Sequence, residues 1–327
     1  MRRREFIGLL GGATVWPLAA HAQQPSMPTI GYIRSGTLAP SDDPLTIAFR
    51  EGLAEMGFAE GRNVAIEYRS TEGHLERLPK LTVDLVRRQV SVIFVAGGDV
   101  PALVAKGATR SIPIVFTTSS DPVRSGLVDS LNRPGVNATG VTVLAGPLGA
   151  KRLELLRELV PKAASVGLLV NPNNTNSEPE TADVQAGART IGLKAHILEA
   201  SNSEEIEKAF ATLIDLKADA LLVIADPIFF LRRSQVVTLA ARYAVPTIHP
   251  AREFVQDGGL ISYGASLTVA FRQCGNYVGR ILKSEKPADM PVLQPTKFEL
   301  AINVKTAKTL GLDLAPSLLA RADEVVE

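Results

Sequence analysis

Val92-Ile93-Phe94-Val95-Ala96-Gly97-Gly98-Asp99-Val100-Pro101 is an unbroken apolar run that stops on two glycines and an acid, then opens a helix near a proline. A strand with one wet face alternates apolar and polar side chains. A strand with no alternation is covered on both faces, as in parallel sheets flanked by helices. The same kind of run recurs at 29–33, 64–68, 114–118 and 140–143, and again at 166–171, 195–198, 220–225, 247–249 and 260–262. Amphipathic helical patterns lie between the runs. Residues 45–56 carry apolar side chains at 45, 49, 53 and 56 and stop at Gly57. Residues 78–86 have Pro79 in the first turn, where a missing N–H does no harm. Residues 153–160 end at Pro161, and 203–216 open with acids at 204, 205 and 207, suited to a positive helix N-terminus. Phe271, Cys274, Val278 and Ile281 share one face of a last long helix over 268–284, which makes Cys274 a core residue.

Strand–helix alternation of this kind predicts an α/β fold with parallel sheets. It breaks at 140–149, which contains Gly146-Pro147, and then restarts; 252–264 is a second irregular passage, and 298–304 with 306–310 form a short final unit. The expected architecture is two doubly wound parallel-sheet lobes joined by a multi-strand hinge. Lobe 1 takes 28–143 plus 264–290, and lobe 2 takes 144–263 plus 291–327. A ligand would lie between them, outside the carboxyl ends of the strands.

The chain has 327 residues, more than one core usually holds. At its start, Arg2-Arg3-Arg4 precede an apolar run over 6–20 that closes on Ala20-His21-Ala22, the pattern of a cleavable export signal over 1–22. Arg3-Arg4-Glu5-Phe6-Ile7 resembles a twin-arginine signal, so the expected destination is the periplasm. No cysteine follows to carry a lipid anchor. With 35 basic and 34 acidic residues, three arginines and one glutamate of them inside the signal, the remainder is close to neutral. That leaves no electrostatic case for nucleic acid or an anionic membrane as partner. The single cysteine excludes an internal disulfide.

Several segments resemble, in their joint order, the substrate-binding proteins of ABC transporters, in the branch that includes tryptophan- and tyrosine-binding members. They are Phe49-Arg50-Glu51-Gly52-Leu53 with Glu60-Gly61-Arg62-Asn63-Val64, Ile112-Pro113-Ile114-Val115-Phe116, Arg133-Pro134-Gly135-Val136-Asn137-Ala138-Thr139-Gly140, Lys151-Arg152-Leu153-Glu154-Leu155-Leu156, Gly258-Gly259-Leu260-Ile261-Ser262-Tyr263-Gly264 and Gln294-Pro295-Thr296-Lys297-Phe298-Glu299-Leu300. The resemblance implies the type I periplasmic binding fold, capture of a small molecule without chemistry, and delivery to an ABC permease with its ATPase. A sensor presenting its ligand to a membrane receptor would share the fold. A monomer is expected, since hinge closure needs both faces of the cleft free. This chain reads Gly98-Asp99-Val100-Pro101 where relatives often carry Gly-Thr-Pro, and His249-Pro250-Ala251 where they often carry a Tyr-Pro-Trp-like stretch. Both departures weaken an aromatic amino acid as the ligand.

Candidate contacts lie in the loops after the strands. Ser35 and Gly36 offer a hydroxyl and close backbone approach. Gly98 and Asp99 open a helix, where Asp99 is either a cap or a ligand contact. Thr118 and Ser119 offer hydroxyls. Asn171 and Asn173 offer amides or belong to a plain turn. Asp226, before Pro227, is the best partner for an ammonium group. His249 and Arg252 are placed to close on an anion, and Tyr263 to stack on a ligand or pack in the hinge. The enzyme reading has little support: the histidines lack metal spacing, no Gly-x-Ser-x-Gly elbow exists, and no cofactor fingerprint is present.

Overall fold

The structure is a computed structural model that describes residues 27–38, 43–143, 148–174 and 176–327. The expected signal over 1–22 lies outside the described residues. Lobe 1 is built from β1 (Thr29–Arg34), α1 (Pro44–Glu55), β2 (Ala65–Ser70), α2 (Leu78–Arg87), β3 (Val92–Ala96), α3 (Asp99–Ala108), β4 (Ile114–Thr118) and β5 (Ala138–Thr142). Its five strands pair in the order β2-β1-β3-β4-β5, all parallel. The absence of alternation in β3 has its expected cause. Val92, Phe94 and Ala96 enter one core with α1, while Ile93 and Val95 enter another with α2 and α3.

Lobe 2 continues with α4 (Gly149–Leu159), β6 (Ser165–Val170), α5 (Ser177–Thr190), β7 (Lys194–Glu199), α6 (Ser203–Asp215), β8 (Ala220–Val223), α7 (Pro227–Leu231), α8 (Arg233–Arg242), β9 (Thr247–His249), α9 (Arg252–Gln256) and β10 (Ile261–Ala265). The chain then returns to lobe 1 as α10 (Leu267–Leu282), which packs along α1. That packing is close because Gly275 has no side chain: a methyl group there would lie 2.0 Å from the Phe49 carbonyl oxygen. The last elements are β11 (Phe298–Asn303), α11 (Val304–Thr309), α12 (Pro316–Leu319) and β12 (Glu324–Val326). They complete a seven-stranded sheet in the order β12-β11-β10-β9-β8-β6-β7.

Two features depart from the sequence reading. The lobe 2 sheet is mixed, because β11 runs antiparallel to β10. The route of the chain dictates this. β10 ends at the hinge, the chain visits lobe 1, and β11 must start where β10 stopped, so that Ala265 faces Phe298. Second, the final crossing comes after Leu293 rather than at 290. Leu293 bridges Val141 in parallel, its N–H donates to the Gly140 carbonyl at 3.0 Å, and Val292 is buried in the lobe 1 core. The segment 287–295, with Pro287, Pro291 and Pro295, therefore serves as a sheet edge before it becomes a linker. Three chain passages join the lobes: between Val143 and Leu148, between Ala265 and Leu267, and between Leu293 and Phe298. Among the described residues no helix is long and apolar enough to cross a membrane.

Candidate functional site

A cavity of about 640 Å³ lies between the lobes, at the carboxyl ends of their strands. On the lobe 1 side it is lined by Ser35 and Gly36 after β1, Gly97 and Gly98 after β3, and Thr117, Thr118 and Ser119 at the end of β4. Gly97 has to be glycine, since a methyl group there would lie 2.0 Å from the Ser35 hydroxyl. The lobe 1 charges at the cavity are Arg34 and Asp43, which form an ion pair with each other. Asp43 caps α1, accepting from the Thr46 N–H at 2.8 Å. Burial works against its ionisation, but Arg34 and Thr46 outweigh it and hold the carboxyl below its ordinary value.

Lobe 2 contributes charges of another kind. Arg152 of α4 is 3 % exposed; its Nη1 donates to Glu180 of α5 at 2.8 Å and its Nε to the Tyr263 carbonyl at 2.8 Å. Burial raises the Glu180 pKa, and Arg152 opposes that rise. Asp226 is 4 % exposed and caps α7, its Oδ1 accepting from the Ile228 N–H at 2.7 Å. Its Oδ2 accepts from the side-chain amides of Asn174 at 2.7 Å and Asn171 at 3.1 Å. Burial raises its pKa above the ordinary carboxylate value, and these hydrogen bonds limit the rise. Apolar surface comes from both lobes: Leu45, Leu267 and Phe271 on one side, Leu148, Phe230 and Leu231 on the other.

Of the residues singled out from sequence, Ser35, Gly36, Gly98, Thr118, Ser119 and Asp226 line this cavity. Asn171 stands behind Asp226 and bonds to it. Asp99 is the first residue of α3, with Gly98 at the cap position, and its carboxylate accepts from the Thr118 hydroxyl instead of facing the cavity. Four more residues lie off the cavity lining, Asn173 and Tyr263 in the turn and packing roles that the sequence left open. Asn173 is exposed in a turn, its N–H donating to Asn171 Oδ1 at 3.1 Å. His249 is fully buried and stacks on Phe254 at 4.7 Å; burial pushes its pKa down to about 3, so it stays neutral and cannot attract an anion. Its neighbours Pro250 and Ala251 line the cavity instead. Arg252 lies by the hinge, ion-paired to Glu299 at 3.7 Å and Glu324 at 3.8 Å and bonded to Thr268. The Tyr263 ring packs against the lobe 2 core, and only its carbonyl serves the site, through Arg152.

Sequence reasoning missed Arg34, Asp43, Arg152, Glu180, Asp183 and Arg233 among the charged lining, the last ion-paired to Asp257 at 3.0 Å. Asp43-Pro44 carried a usable signal, an acid ahead of a first-turn proline. Arg152 and Glu180 carried none, because helix packing alone brings them together. Among the described residues no group of three His, Cys, Asp or Glu side chains is arranged to hold a metal.

A family model described as ABC transporter substrate binding protein matches residues 39–326. The chain belongs to that family. A relative within it is the tyrosine-binding protein of Clostridioides difficile strain R20291, 27% identical over 273 residues that span 84% of this chain and 78% of that one. Two solved structures of substrate-binding relatives sharpen the likeness. The ABC domain from Streptococcus pneumonia in complex with L-Trp superimposes with a TM-score of 0.82 at 26% identity, covering 92% of this chain and 100% of that one. The ligand-free, open structure of a substrate binding protein with adhesive properties from Clostridium difficile gives 0.67, also at 26% identity, covering 91% and 99%. The fold of this substrate-binding protein is thus the two-lobed type I periplasmic binding fold.

Proposed function

We propose that this chain is the receptor of an ABC uptake system and captures an amino acid-like solute, seating its ammonium group on Asp226 and its carboxylate on Arg152. One observation carries the reading: one wall of one cavity presents a buried anion and a buried cation, each fixed by its own partners. Nε and Nη1 of Arg152 are engaged, which leaves Nη2 for a ligand oxygen. An Asp at a helix cap, backed by two amides, stays an acceptor toward the cavity. Ser35 and Ser119 supply hydroxyls from the opposite wall, Thr118 shapes it while bonded to Asp99, and Gly36 and Gly98 allow close backbone approach. Phe230, Phe271 and the leucines take the apolar part of the solute. The tyrosine-binding and Trp-bound relatives support the same ligand class.

Lobe closure on the solute, then docking on a permease with its ATPase, is the working cycle proposed here. The better superposition on the Trp complex than on the open relative supports a closed arrangement of the lobes. Arg3-Arg4-Glu5-Phe6-Ile7 and Ala20-His21-Ala22 support export to the periplasm by the twin-arginine route, with release as a monomer. A thermal-shift panel of the twenty amino acids, matched carboxylic acids and small polyols tests the ligand class. A ligand at a hundred times its Kd stabilises the native state by about 2.7 kcal/mol. At least one amino acid should raise Tm; if polyols did and no amino acid did, the reading would be wrong.

A further inference from the structure

The lobes touch one another at the mouth of the cleft, and the contacts converge on Asp226. Pro227, the next residue, fits against Gly98 of lobe 1, where a methyl group would lie 2.7 Å from Pro227 Cγ. Leu231, at the end of the same helix, fits against Gly36, where a methyl group would lie 3.2 Å from Leu231 Cδ1. The third contact is polar. Ser120, in the loop after β4 of lobe 1, donates its hydroxyl to Asn174 Oδ1 of lobe 2 at 3.3 Å. Ser120 is held in place on its own side: its N–H donates to Thr118 Oγ1 at 3.0 Å, and its carbonyl accepts from Thr142 Oγ1 at 3.1 Å.

Asn174 faces both ways. Its Nδ2 donates to Asp226 Oδ2 at 2.7 Å, while its Oδ1 accepts from the Asn176 N–H at 2.9 Å as well as from Ser120. An ionised carboxylate only accepts, so the amide nitrogen must turn toward Asp226 and the amide oxygen toward Ser120. With the amide reversed, two oxygens would meet at Asp226 and the Asn176 N–H would point at Asn174 Nδ2, while the Ser120 hydroxyl would have to turn from donor to acceptor. Resting on the proposal that Asp226 seats a ligand ammonium, we infer that Asn174 is a positioning residue that couples occupation of Asp226 to lobe closure through its hydrogen bond to Ser120. A ligand cation keeps Asp226 an acceptor, Asp226 orients Asn174, and Asn174 presents the oxygen that lobe 1 closes on. Neither Asn174 nor Ser120 is part of the cavity lining.

Closure can be read with and without ligand from the rate of disulfide formation in the full chain carrying Gly36→Cys and Leu231→Cys, since the native Cys274 is buried. L-tyrosine and L-tryptophan are the probes. In the ligand-free protein, adding Ser120→Ala or Asn174→Ala should slow cross-linking about two- to tenfold, the span of one ordinary hydrogen bond. Ser120→Thr should restore the rate, and the Ser120→Ala/Asn174→Ala pair should be no slower than either alone. Rates unchanged by both single variants would overturn the latch; a purely structural role would lower Tm and leave the rates alone. If a probe accelerates cross-linking by the same factor in both variants as in their background, the coupling to Asp226 is wrong. If neither probe binds the wild-type protein while Ser120→Ala still slows cross-linking in the ligand-free background, the amino acid reading fails and the latch between the lobes stands.

Discussion

Lobe 1 meets the cleft with hydroxyls, glycine backbone and an ion pair closed on itself, Arg34 with Asp43. Lobe 2 meets it with Arg152, Glu180 and Asp226, charges buried by their own helices and bonded before any ligand arrives. The difference assigns labour. Charges are costly to desolvate, so they belong where a rigid lobe has already buried and partnered them. The opposite lobe carries neutral donors that lose little when brought over the ligand. Closing it excludes water and strengthens the electrostatics of the wall it covers.

The sharpest way to break this contrast is Arg152→Ala. It strands Glu180, already destabilised by burial, and should cost about 3–5 kcal/mol of folding stability by urea denaturation. A loss under about 1 kcal/mol would mean that the lobe 2 wall is not preassembled. Asp226→Asn comes next. Ligand affinity by calorimetry should fall about 100-fold, and folding stability should fall by about 1–3 kcal/mol, because asparagine offers one acceptor oxygen where Asp226 takes three hydrogen bonds. The pH dependence has a defined sign. Burial raises the Asp226 pKa, so wild-type affinity for a cationic group should fall as pH drops through that raised value, and Asp226→Asn should flatten the profile.

Gly98→Ala tests lobe 1 as the closing partner. Gly98 has a φ of 93° and faces Pro227, whereas Gly61 has a φ of 76° and nothing near it. Both alanines carry backbone strain of about 1–3 kcal/mol, so both should lower Tm. Gly98→Ala should also weaken ligand binding about tenfold, the effect of roughly 1.4 kcal/mol lost from the closed state, whereas Gly61→Ala should not weaken it. Equal affinities for the two variants would remove the steric part of the closure account.

The smallest effect concerns Glu253 of α9, whose pKa is pushed up to about 7, chiefly by burial, against the pull of Arg252 and Arg233. A raised acid binds more protons folded than unfolded, so it favours folding below its unfolded pKa and loses that contribution as pH rises toward 7. Glu253→Gln should therefore be more stable than wild type at pH 8, with the gap narrowing by pH 5. A gap that widens on acidification would reverse the assignment.

How much of this was written locally in the chain differs between the two walls. The runs 92–96 and 114–118 became strands residue for residue, because a near-continuous apolar run between turn residues has few other outcomes. β12 was not legible: three residues at a sheet edge, none of them buried, carry no pattern. The neutral wall could be read because it consists of the first residues after strands. Of the charged wall only Asp226, in the turn that follows β8, was legible, since Arg152 and Glu180 stand 28 positions apart on two helices. His249 was misplaced by one step: the last residue of β9 faces the core under Phe254, and the next two turn to the cavity.

The central claim is that one lobe holds both a cation seat and an anion seat for one small solute. It is tested most directly by calorimetric titration of the best-binding amino acid beside its des-amino acid and its des-carboxy amine. Loss of either polar group should weaken binding at least about 100-fold, because the closed cleft then covers Asp226 or Arg152 without its ligand partner. A des-amino analogue that bound about as tightly as the amino acid, within roughly a factor of two, would contradict the account.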